Sequence, residues 1–214
     1  FLIFYVFFQW IKATLATVIE TIEVDKIIAA RKRVKKALAK ALKAEFLQVY
    51  TATAGAGPYK FNSTETGRRR LHNVCLDYLS SEGSAESAAR AMAQYDTANC
   101  MTDSLAALAV LASQDCPQRD QALASFYKAA AGDALVINKW FGIQAIADTP
   151  DILDRVKALK KHPEFVLSNP NRFRSIVANF GANLPAFHQA GGAGYKFMSD
   201  SIIEIDALNP QVAA

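Results

Sequence analysis

The chain has 214 residues, 51% of them apolar and 21% charged, with only 7 Pro and 10 Gly. That is enough for one well-buried domain or two small ones, and it excludes collagen-like, disordered and disulfide-scaffold classes. The net charge of +4 hides a split: 13 Lys and Arg against 6 Asp and Glu up to Ser80, then 11 against 14, so the basic character is local and a uniformly basic nucleic-acid binder is excluded.

Phe1–Phe8 is unbroken apolar, and through Ile19 only Gln9, Lys12 and the threonines interrupt it. Residues 1–20 therefore read as a separate apolar segment. A membrane span needs about 20 predominantly apolar residues, and a lysine near its middle costs roughly 2.5–3.5 kcal/mol. A buried helix or strand that packs on other polypeptide is the preferred reading, with membrane attachment through residues 1–19 as the alternative.

Val24–Tyr50 reads as one long helix. Val34, Leu38, Leu42 and Phe46 recur every fourth position, and seven cations between Arg31 and Lys43 fill much of the rest. Ala52–Pro58 is the most linker-like stretch. Beyond Asn62 the apolar spacing is helical again: Leu71, Val74, Cys75, Tyr78 and Leu79; Leu123, Phe126, Tyr127 and Ala130; Phe173, Ile176, Val177 and Phe180. Start signals precede these runs at Ser84, at Thr102, at Cys116 with Pro117, at Thr149 with Pro150 and at Asn169 with Pro170. Ala134–Ile146 is apolar almost all round and too long for an ordinary strand, which predicts a central helix packed on both sides. Short helices joined by tight turns imply an all-α superhelix, an α-solenoid of antiparallel helix pairs of the HEAT or armadillo kind, over residues 21–214.

Candidate chemistry is sparse. Three histidines, His72, His162 and His188, have no HExxH partner in sequence. His72 and Cys75 share a helix face, but two ligands do not make a metal site, and packing or capping is the expected role. Gly191–Gly194 lacks the lysine of a phosphate loop and reads as a turn. Cys75, Cys100 and Cys116 are an odd number without CxxC spacing, which points to reduced thiols in a cytosolic or organelle-interior protein. A cysteine nucleophile served by His162 or His188 is the minor alternative to buried packing. The cations of Arg31–Lys43 are expected to form a solvated helix face, since no aromatic ladder accompanies them to stack bases.

Several strings in order, YKFN at Tyr59–Asn62, GRRRLHNVCLDYL, NKWFGIQA, HPEF with NPN, FHQAGGAGYKFMSD and finally NPQVAA, resemble the C-terminal helical domain of alanyl aminopeptidase. This is the bacterial and plant-plastid aminopeptidase N type of gluzincin zinc aminopeptidases. The resemblance implies a non-catalytic domain, inactive alone, that walls the substrate chamber of an enzyme removing N-terminal residues from peptides. It places the zinc and its HExxH ligands in a thermolysin-like catalytic domain upstream, so that no cofactor is expected in this chain and its partners are that domain and, through it, short peptides. It places Gln211 near the substrate channel and makes the His188–Tyr195 stretch a structural loop. Ala129–Ala131 stand where the family commonly has a tryptophan, the match stops in mid-motif at Ala214, and the first twenty residues do not match. The competing expectation is a helical-repeat scaffold or accessory subunit of a larger complex, membrane-attached through residues 1–19, without the catalytic domain.

Overall fold

Each apolar repeat from Val34 onward lies on helices, Leu42 alone falling between two of them. In a computed structural model, which describes residues 17–18, 20, 22–55 and 57–214, every regular element among the described residues is helical. Apart from Thr17 and Val18, the apolar run Phe1–Ile19 lies outside the described residues. The chain packs as two compact units, one closing at Leu111 and the other opening at Ala112.

The first unit holds α1 (Val24–Ala41), α2 (Lys43–Ala52), α3 (Ser63–Leu79), α4 (Ala85–Thr97) and α5, Met101–Ala112, which reaches the boundary. The long helix expected over Val24–Tyr50 is two, because Leu42 (φ −114°, ψ 27°) steps out of helical geometry, although its N–H still bonds Leu38 O at 2.9 Å. Asn62 and Ser84 begin α3 and α4, their side chains accepting from the Glu65 and Ser87 N–H groups that have no intrahelical partner. α5 starts one residue before the expected Thr102.

Ala39, Phe46, Val74, Cys75, Tyr78 and Leu79 form the core between α1, α2 and α3. Phe46 stacks on Tyr78 at 4.6 Å and Tyr50 on His72 at 4.1 Å, so that residue numbers rise on α2 as they fall on α3 and the two helices are antiparallel. Lys43 bonds Glu86, and Tyr50 bonds Gln94, so α2 and α4 run parallel. Neighbours antiparallel and next-neighbours parallel is the local order of stacked helix pairs.

The second unit holds α6 (Pro117–Ala130), α7 (Ala134–Ala145), α8 (Ile152–Leu159), α9 (Pro170–Phe173), a π-helical turn (Arg174–Ala178) continuing into α10 (Asn179–Ala182), α11 (Leu184–Phe187), α12 (Ala193–Asp206) and α13 (Pro210–Ala213). Pro117 and Pro170 occupy the first helical turn as expected, where a missing N–H costs nothing. The Thr149–Pro150 start is displaced, since α8 begins at Ile152. α7 buries Ile137, Trp140, Phe141 and Ala145 but leaves Leu135 67% exposed, so the expected packing on both sides holds only over its middle and C-terminal turns.

Candidate functional site

The strings NKWFGIQA, HPEF and NPN are far apart in sequence and meet in the second unit. Asn169 accepts from the N–H groups of Asn171 and Arg172 at 3.0 and 3.2 Å, which starts α9 and aims Arg172 inward. Arg172 is only 5% exposed. Its Nε donates to Glu164 O at 2.9 Å, and its Nη1 donates to Ala134 O at 2.9 Å and to Asn138 Oδ1. Its Nη2 faces the Glu164 carboxylate at 3.4 Å, and the guanidinium lies 5.7 Å from the Phe141 ring centroid. The planar fork thus ties the start of α7, the loop after α8 and α9 together, a job that needs several fixed donors and that lysine cannot do.

Gly142 faces the π-helical turn. A Cβ there would come within 2.7 Å of Asn179 Nδ2, which itself bonds Ser175 O at 2.9 Å. Asn138 and Gly142 on α7 meet Arg172 and Asn179 in the same chain order, so the segments are parallel, as stacked repeats require. Trp140 donates its indole N–H to Leu123 O at 2.9 Å. His162 sits among the Tyr127, Trp140 and Phe141 rings at 5.2–5.6 Å, its Nδ1 accepting from the Glu164 N–H. The polar atoms named here bond one another and the backbone, and through Arg172 they tie α7, α9 and the loop before α9 together.

A family model described as "Domain of unknown function (DUF3458_C) ARM repeats" matches residues 11–214. The chain belongs to this ARM-repeat family. The domain is 39% identical to the aminopeptidase N of Haemophilus influenzae over 196 residues, 91% of this chain and 22% of that protein. It is 40% identical to the aminopeptidase N of Caulobacter vibrioides over 159 residues, 74% of this chain and 18% of that protein. A solved structure of Legionella pneumophila aminopeptidase A in complex with aspartic acid is similar with a TM-score of 0.82 and 31% identity, covering 92% of this chain and 24% of that one. The chain spans about a fifth of the length of the curated relatives it matches, and it corresponds to the C-terminal helical domain of aminopeptidases of this type.

The other sequence candidates of the ARM-repeat domain are placed separately. His72 is buried, its Nδ1 2.9 Å from Tyr50 O and 3.3 Å from Thr53 Oγ1, and burial holds its pKa below the ordinary imidazole value. It borders a polar network that the residue types alone did not reveal: Gln94 donates to Asn73 Oδ1 and Asp103 O, and Asn73 donates to Asp103 Oδ1. Cys75 is fully buried in the core of the first unit, where burial pushes its thiol up to about 11. A thiol so raised stays protonated near neutral pH and is a poor nucleophile. Cys100 and Cys116 are half-buried free thiols. His188 Nδ1 lies 2.7 Å from Tyr195 Oη; the expected loop over His188–Tyr195 ends at Gly192, because Ala193, Gly194 and Tyr195 form the first turn of α12.

Gln211 is exposed on the four-residue α13, after Pro210. Part of the basic run is used in packing, since Lys35 and Lys43 pair with Asp77 and Glu86 at 2.7 and 3.2 Å. Among the described residues no three His, Cys, Asp or Glu side chains are placed to hold a metal, so the described donor set does not fit a zinc site. Among the same residues no helix is long and apolar enough to cross a membrane.

Proposed function

We propose that this ARM-repeat domain is the non-catalytic C-terminal part of a zinc aminopeptidase and walls the chamber in which peptides lose their N-terminal residues. The observation that carries the reading is the Arg172 knot. The motifs that make the chain similar to aminopeptidases N are used to hold three chain segments in fixed register, which suits a wall rather than a reacting centre. Zinc and the hydrolytic groups belong, on this reading, to a thermolysin-like domain of the same polypeptide, and the substrates are short peptides. Three free cysteines suit a reducing compartment, cytoplasm or organelle interior.

Gln211 lines the substrate path on this reading, and its exposure on a short helix supports that role. The test is Gln211→Trp in the native polypeptide. Hydrolysis of an alanyl dipeptide is expected to persist while cleavage of a longer alanyl peptide falls through a raised KM. Equal retention of both substrates removes Gln211 from the path.

A further inference from the structure

α2 is held in place by what it packs on. A helix of ten residues is not stable alone, and Phe46 is the one buried residue of α2, so docking decides whether this helix stays folded. It starts after the break at Leu42 and leads into open chain, with Gly57–Asn62 exposed throughout. Phe46 stacks on Tyr78, and Tyr50 covers His72 with ring centroids 4.1 Å apart and planes 13° from parallel. His72 is 6% exposed under that cover. The Tyr50 carbonyl can only accept, and Thr53 Oγ1 already donates to Val49 O at 2.7 Å, so His72 Nδ1 carries the ring's proton and donates it to the end of α2.

We infer that α2 is a flap that opens locally, and that protonation of His72 shifts it toward the open state. The neutral ring already gives its single N–H to α2, and a second proton adds a charge beneath the Tyr50 ring. Burial opposes that charge most and prevails, holding His72 below the ordinary imidazole value; Arg68 on α3 opposes it too, whereas the Tyr50 carbonyl, Asp103 on α5 and the Gln94 side chain on α4 favour it. Of the other titratable groups around the stack, Tyr50 and Cys75 are held above their ordinary values and stay neutral in acid, and Arg90 stays charged. Movement of α2 away from α3 uncovers the imidazole to water, where the cation meets no burial penalty. Linkage then requires the open population to grow as pH falls through the His72 titration. A second tie, Lys43 to Glu86, is also broken by acid, but Lys43 and Arg90 hold that carboxyl below the usual carboxylate range, so it responds at lower pH than His72 does.

The flap is independent of the aminopeptidase reading. The experiment is amide hydrogen exchange on the 214-residue chain between about pH 8 and about pH 5, corrected for the intrinsic pH dependence of exchange, with the His72 ring titration followed by NMR on the same protein. Protection over Phe46–Ala52 is expected to hold above pH ~6.5 and to fall by at least about threefold as His72 takes up its proton, while α7 in the second unit keeps its protection. His72→Gln should flatten the α2 profile. Where that variant does not fold, the wild-type profile decides alone, because the loss of protection in α2 must follow the His72 titration. A level α2 profile across that titration, a loss whose midpoint departs from it, or a loss shared equally by α3 and α4 overturns the flap. So does a pH-dependent loss that survives in a folded His72→Gln protein.

Discussion

Replacing Arg172 by Met keeps most of the aliphatic stem and removes the fork. Three acceptors lose their donor: the carbonyls of Ala134 and Glu164 and the Asn138 side-chain oxygen. At about 1 kcal/mol for each buried hydrogen bond the loss is about 3 kcal/mol. The Glu164 carboxylate adds little, because its side chain is 37% exposed and water replaces the guanidinium there. The assay is urea unfolding followed by Trp140 fluorescence in a Trp10→Phe background, since Trp140 lies in the second unit and is 8% exposed. With a denaturant slope of about 1–3 kcal/mol per molar, the midpoint should fall by about 1–3 M. Arg172→Lys should lose most of the same stability, because one ammonium cannot reach acceptors on three segments. A midpoint unchanged in Arg172→Met, or a lysine variant equal to wild type, refutes the knot as the element that holds α7 and α9 in register.

Three further outcomes are expected. Gly194→Ala would place a Cβ on the carbonyl oxygen of Phe187 and 2.9 Å from that of Ala186, so thermal unfolding should show a loss of about 1–3 kcal/mol; an unchanged melting temperature contradicts the close approach of α12 to α11. Ala131 ends α6 in the left-handed region at φ 47°, so Ala131→Gly should stabilise by about 0.5–1 kcal/mol, read as a rise of a few degrees in Tm, and a fall in Tm contradicts that geometry. His72 is held below its ordinary pKa, chiefly by burial, and only the unfolded chain takes up its proton between the folded value and about 6.5. Its contribution to stability is therefore full above pH ~6.5 and is lost as pH falls toward the folded value, so a stability-versus-pH series should slope upward in that window and flatten in His72→Gln. Identical slopes in the two proteins remove His72 as the cause.

What could be read from sequence follows from how local each signal is. The apolar spacing on α3 and α6, and the Asn169–Pro170 and Pro117 starts, depend on residues within one or two turns of each other, and they form as expected. The break at Leu42 has no Pro or Gly to announce it, and the apolar spacing of four continues across it. The π-helical turn is also silent, because Phe173, Ile176, Val177 and Phe180 are buried by the turn much as a regular helix would bury them. Arg172 meets Asn138 and Ala134 across 34 and 38 residues, and a lone arginine beside NPN carries no mark of what it will bond. Resemblance marked the strings that hold these residues; only the folded geometry assigns their roles.

The central claim is tested most directly by zinc-dependent release of p-nitroaniline from alanyl p-nitroanilide, measured on the 214-residue chain and on the native polypeptide isolated from cells. The account predicts turnover by the native polypeptide, abolished by a chelator and restored by zinc, and none by the 214-residue chain at any zinc concentration. Turnover by the 214-residue chain alone, or a native polypeptide without this activity, would contradict it.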